Sequence, residues 1–115
     1  MSVLILPMRQ TAVMFALLGL VSASTEAVAL SAQERHGRAL ASRLCASCHA
    51  IGPRGDSPHV GAPRFRQLDR RLDLDSFVDR LREGLSSGHP DMPTFRFTRE
   101  DANALVGYLR AIAAP

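Results

Sequence analysis

The 115-residue chain has no lysine, no tryptophan, a single tyrosine and only two cysteines. Each shortage excludes something. With aromatics at 5%, side chains alone make a thin core, and no stacking platform for nucleic acid is available. All 14 basic residues are arginine, and against 11 acidic residues they leave a net charge of +3. They are scattered (Arg35, Arg38, Arg43, Arg54, Arg64, Arg66, Arg70, Arg71) without aromatic interleaving, which reads as a solvated surface and not as a nucleic-acid face. No alternating apolar pattern of strand length occurs, and no internal repeat.

What the chain does have is unevenly placed. The hydrophobic fraction is 46%, and much of it lies in the amino-terminal third. Thr11 to Val21, TAVMFALLGLV, is an uncharged apolar run behind Arg9, followed by the small-x-Ala triplets Val21-Ser22-Ala23 and Ala27-Val28-Ala29. That order is the order of a secretory signal peptide, assigned to residues 1–29 with cleavage after Ala23 or Ala29. Met8 is an alternative start. The run is short for a membrane span, which needs about 20 apolar residues; an uncleaved anchor is the alternative. The mature domain, 30–115, belongs in the periplasm. A domain of that size commonly needs a disulfide, metal or cofactor for stability.

Local signals make the mature domain all-α. Ser31-Ala32-Gln33-Glu34 has capping-box form, so a helix is expected to open there and run through ERHGRALASRLCASC to end near His49. A loop rich in glycine and proline follows. Gly37, inside the helix, costs about 1 kcal/mol against alanine and marks a close approach by another element. Phe65, Leu68 and Leu72 suit a short helical turn. Leu74, Phe77, Val78 and Leu81 form the stripe of a helix capped by Asp73 or Asp75 and stopped at Gly84. LSSGHPDMPTFRF is expected to be an ordered loop braced by Pro90 and Pro93. A last helix opens with a capping box at Thr98-Arg99-Glu100-Asp101 and carries Leu105, Tyr108, Leu109 and Ile112 at three-and-four spacing.

The chemistry lies in Cys45-Ala46-Ser47-Cys48-His49. A thiol redox pair sits at a helix start, where the dipole lowers a thiol pKa; this pair follows a helix. Zinc needs four ligands, and His36, His59 and His89 stand singly. A disulfide across so small a loop stabilises little. C-x-x-C-H as a haem anchor requires two thiols on one helical face for the two vinyl groups, with the histidine carried beneath the macrocycle to the iron. That reading is preferred, and the export signal agrees with it. A sixth ligand is then needed. Met1, Met8 and Met14 fall in the leader, so Met92 is the one thioether of the mature chain. It lies between prolines, not on an apolar helix face where a core-filling methionine belongs. His89 is its rival; Met92 is preferred because His/Met ligation needs a rigid loop on the far haem face.

CASCH on an N-terminal helix, Gly37 eight residues before the first cysteine, GHPDMPTF and a C-terminal helix DANALVGYLRAI together resemble a small class I c-type cytochrome. The resemblance covers essentially all of the mature chain. It implies three to four helices wrapped around one haem c, bound covalently through Cys45 and Cys48, with His49 and Met92 as axial ligands of the iron. It implies that the first and last helices cross with Gly37 against Tyr108 and Leu105 nearby. It also implies that a loop proline, Pro63 in preference to Pro53 or Pro58, accepts a hydrogen bond from His49 Nδ1. Such families often ring the haem edge with lysine, and this chain has only arginine.

The function expected is electron transfer, not enzymatic catalysis. Ile51, Phe65, Leu68, Phe77, Leu81, Leu85 and Phe95 are expected to bury the haem, and Arg64, Arg66 or Arg96 to meet its propionates. The partners expected are redox proteins met transiently by a monomer, with no membrane span once the leader is removed. The alternatives are a small haem subunit of a larger dehydrogenase or oxidase, and a haem enzyme or gas-binding protein with a weakly held sixth ligand.

Overall fold

A computed structural model describes residues 29–86 and 89–115. The expected leader lies outside the described residues apart from Ala29. Among the described residues are three α-helices and one 3-10 turn: α1 (Ala32–Leu44), the turn (Phe65–Arg70), α2 (Leu74–Glu83) and α3 (Arg99–Ile112). The domain is all-α, as expected. Extended pairing among the described residues is limited to one antiparallel bridge between Leu85 and Phe95. Among those residues no helix is long and apolar enough to cross a membrane.

The helix starts follow from their caps. At α1 the Ser31 hydroxyl accepts from Glu34 N–H while the Glu34 carboxylate accepts from Ser31 N–H, closing the expected box. Asp73, not Asp75, caps α2, accepting from the Asp75 and Ser76 amides. Gly84 ends α2 at φ 110°, in the region that favours glycine. Only half of the box at α3 forms. Thr98 accepts from Asp101 N–H, but the Asp101 carboxylate goes to His36 Nε2 on α1, 2.7 Å away.

α1 is shorter than expected. It stops at Leu44, because both Cys45 N–H and Ala46 N–H converge on the Ala41 carbonyl and end the regular ladder. Cys45 to His49 then forms a separate turn closed by His49 N–H on the Cys45 carbonyl at 2.9 Å. The two cysteines therefore keep one-turn spacing in a turn offset from the helix.

α3 is the centre of the domain and packs on α1, α2 and the 3-10 turn. Tyr108, Val106 and Leu109 are almost fully buried along it. The approach of α1 is close enough to require glycine at position 37. A Cβ there would lie 2.0 Å from the Ala104 carbonyl oxygen and 2.9 Å from Tyr108 Cβ.

Candidate functional site

α2, α3, the 3-10 turn and the two long connections enclose a cavity of about 470 Å³. That volume falls within the range of about 300–1,000 Å³ found for small-molecule sites. Its wall is chiefly apolar, with Phe65 and Leu68 from the 3-10 turn, Phe77 and Leu81 from α2, and Leu105 and Leu109 from α3. Cys45, Cys48, His49 and Met92 all border this cavity, as do His59, His89 and Asp91. The attachment motif and the late methionine, far apart in the chain, thus face one space.

His49 is the most constrained of these groups. Its Nδ1 lies 2.7 Å from the Pro63 carbonyl oxygen. A carbonyl only accepts, so Nδ1 carries the proton and Nε2 has its lone pair available to a metal. The ring also leans on Phe65, with centroids 5.1 Å apart. Around it the chain is pinned by Ala50 N–H to Ser57 Oγ (3.0 Å), Phe65 N–H to the Ala50 carbonyl (3.0 Å) and Tyr108 O–H to the Ile51 carbonyl (2.8 Å).

Cys45 and Cys48 are not joined to each other. Burial, with Cys48 beside it, pushes the Cys45 thiol from 9.0 up to about 11. A thiol redox centre requires the opposite shift. Nor do the described residues contain a group of three or more His, Cys, Asp or Glu able to hold a metal ion, as a zinc site would.

Several expected placements change. Ile51 is absent from the cavity lining; its carbonyl is instead the acceptor for Tyr108. Arg64 pairs with Asp56, and Arg96 donates to the Glu83 carbonyl at 3.3 Å. Arg66 has a buried Nη1 without a hydrogen-bond partner among the described residues and does not border the cavity. The arginines that do are Arg71 and Arg80. Arg80 lies over the Phe77 ring, 5.8 Å from its centroid. Sequence reasoning missed both because nothing local separates them from the other twelve, and it missed His59 and Asp91 because both stand singly in loops.

These residues fit a haem. A cavity of about 470 Å³ with apolar walls has two thiols, an imidazole protonated at Nδ1 and a thioether at its edge, and two cations suited to carboxylates. A family model described as cytochrome C oxidase, cbb3-type, subunit III matches residues 32–109. Cytochrome c-552 of Bradyrhizobium diazoefficiens is 35% identical over 93 residues, covering 81% of this chain and 88% of that protein. No solved structure matches significantly. The cavity, the attachment turn and both matches agree: the chain belongs to the cbb3-type cytochrome c family, as a small monohaem c-type cytochrome with covalent haem c at Cys45 and Cys48 and a role in electron transfer.

Proposed function

We propose that the protein is a periplasmic electron carrier with His49 and Met92 as the axial ligands of its haem iron. The observation that carries this reading is that His49 and Met92 border one cavity while His49 Nδ1 is engaged by Pro63. When bound, haem c supplies reversible one-electron chemistry at its iron. The protein's own groups do the rest. Cys45 and Cys48 tether the macrocycle by one edge. The Pro63 carbonyl fixes the tautomer and ring orientation of His49 and makes Nε2 a stronger donor. Met92 offers a soft thioether, which favours the ferrous state and raises the potential. Phe65, Phe77, Leu81 and Leu105 exclude water and lower the dielectric around the site, which acts in the same direction. Arg71 and Arg80 hold positive charge at the wall, placed for the haem carboxylates. Held by His49 and Met92 together, the iron would offer a substrate no open position, which suits electron transfer.

The ferric absorption spectrum tests the ligands. A sulfur-to-iron charge-transfer band is expected in the native protein. Met92→Ala should lose it and lower the potential while the haem stays covalently attached. Survival of the band in that variant would exclude Met92, and ready carbon monoxide binding by the native protein would favour a gas-binding or enzymatic role. Mass spectrometry of the periplasmic fraction should find the mature chain beginning at Ser24 or Leu30; a chain that keeps its leader would be the anchored form. The family description favours a second reading, in which this domain is a subunit of a larger oxidase. Co-elution with a membrane complex after gentle solubilisation would select that reading over a free carrier.

A further inference from the structure

We propose that His59 is a positioning residue that holds the Met92 segment in place across the cavity, a role that rests on Met92 being the sixth ligand. Two irregular segments border the cavity, one after the attachment motif and one around Met92. His59 belongs to the first and touches both. Its backbone N–H donates to the Cys48 carbonyl at 3.1 Å, and its own carbonyl accepts from Ala62 N–H at 3.2 Å. The residue is thereby tied to the turn that carries the haem thiols. Its half-buried imidazole reaches the other segment, with Nε2 3.4 Å from Asp91 Oδ2 and the ring edge-on to His89, centroids 5.6 Å apart.

Those two residues shape the backbone that presents Met92. Met92 N–H donates to the His89 carbonyl at 3.2 Å, and Asp91 N–H donates to His89 Nδ1 at 3.3 Å. Among the described residues, two further backbone bonds lie at the base of the segment, Leu85 N–H to the Phe95 carbonyl and Phe97 N–H to the Leu81 carbonyl. They fix where the segment leaves and returns, not where its tip lies. A ligand on a loose tip must order that tip before it can bind, and the ordering cost weakens it against any competing ligand. By ordering the tip beforehand, His59 strengthens the hold of the thioether without touching the iron.

The test is a titration of exogenous imidazole into the ferric holoprotein. His59→Ala should bind imidazole about tenfold more tightly than the native protein, the scale on which groups supporting metal ligands act. It should also weaken the sulfur–iron band and lower the potential. Asp91→Asn should move all three readouts in the same direction by less, and it serves if His59→Ala does not fold. His59→Gln, which keeps an N–H donor, should return them towards the native values. His36→Ala removes a similar His–Asp pair away from this cavity and should change none of them. Unchanged imidazole affinity in both His59→Ala and Asp91→Asn, with Met92→Ala binding it freely, would overturn the role of His59 and leave the ligand assignment standing. An equal effect from His36→Ala would overturn it too, by showing general loosening. If Met92→Ala also left imidazole affinity unchanged, the ligand assignment itself would fall.

Discussion

The contact of α1 with α3 and the two segments that border the cavity are built on different physics. At the helix contact, backbone meets backbone: Gly37 lies on the Ala104 carbonyl, and Ala41, Ala102 and Ala104 are at most 1% exposed. No side chain there can rotate to relieve a change. The segments around His59 and Met92 are instead held by single hydrogen bonds and by side chains reaching across a gap, and Asp91 and Pro93 are exposed. Close packing of this kind resists deformation, whereas sparsely bonded segments sit at the low-stability end of a fold and carry its function. The first region therefore governs whether the protein folds, and the second shapes the cavity that His49 and Met92 border.

The sharpest way to break the first region is Gly37→Ala. The substitution gains about 1 kcal/mol in helix propensity. Overpacking against a carbonyl that cannot move aside costs about 3 kcal/mol or more, so a clear net loss is expected. Thermal unfolding of the holoprotein should show it, while the sulfur–iron band below the transition stays as in the native protein. A variant of native stability would mean that the helices separate easily and that the contact is not rigid.

Tyr108→Phe comes next, because Tyr108 belongs to both regions. Its ring is 2% exposed at the helix contact, and its hydroxyl donates to the Ile51 carbonyl in the segment after the motif. Removing the hydroxyl leaves that carbonyl unpaired at a cost of about 1–2 kcal/mol. Denaturant titration should record the loss, and amide exchange should quicken at Ala50 and its neighbours more than within α1. Uniform quickening would show that the hydroxyl serves the whole fold and not the segment.

The two regions also differed in how far they could be read from sequence. The helix contact was legible, since Gly37, the Ser31 box and the apolar stripe of α3 are local patterns with one structural solution each. The haem attachment was legible for a chemical reason: C-x-x-C-H has few other uses, and the methionine that the sequence singled out, Met92, borders the same cavity as the motif. The end of α1 was not, because the shared acceptor at Ala41 is a matter of how the chain leaves the helix. Asp101 had every local mark of a capping-box residue, yet a histidine 65 positions away takes its carboxylate. Arg71 and Arg80 could not be chosen over Arg64, Arg66 and Arg96, since the choice depends on which guanidinium borders the cavity after folding.

Arg71→Gln and Arg80→Gln probe the cavity side with a smaller effect. Each removes positive charge near the haem, which favours the more positive ferric state and lowers the potential. Both side chains are exposed, so water and salt screen them and the change should stay below about 1 kcal/mol. Voltammetry at low salt should show both shifts, additive in the double variant and reduced at high salt. Arg64→Gln should give less, because that guanidinium is already paired with Asp56. A larger shift from Arg64 than from either cavity arginine would reverse the assignment.

The smallest expected effect is the acid response of the helix ends. Asp101 is held below the ordinary value of 3.8, first by its hydrogen bond with His36 and then by that with Thr98. Asp73 is held below 3.8 chiefly by the Asp75 amide at the start of α2. A carboxylate with a depressed folded-state pKa contributes stability that is complete above 3.8 and is lost as pH falls through the lower folded value. Both groups are well solvated, so each contribution is small. Asp101→Asn and Asp73→Asn should each flatten the fall in stability on the acid side of pH 4, followed by chemical denaturation of the holoprotein at stepped pH. The two regions part here as well. Loss of the Asp101 pair strains only the helix contact, so the sulfur–iron band should hold until global unfolding, and an earlier loss of the band in Asp101→Asn would show that the contact and the cavity are coupled.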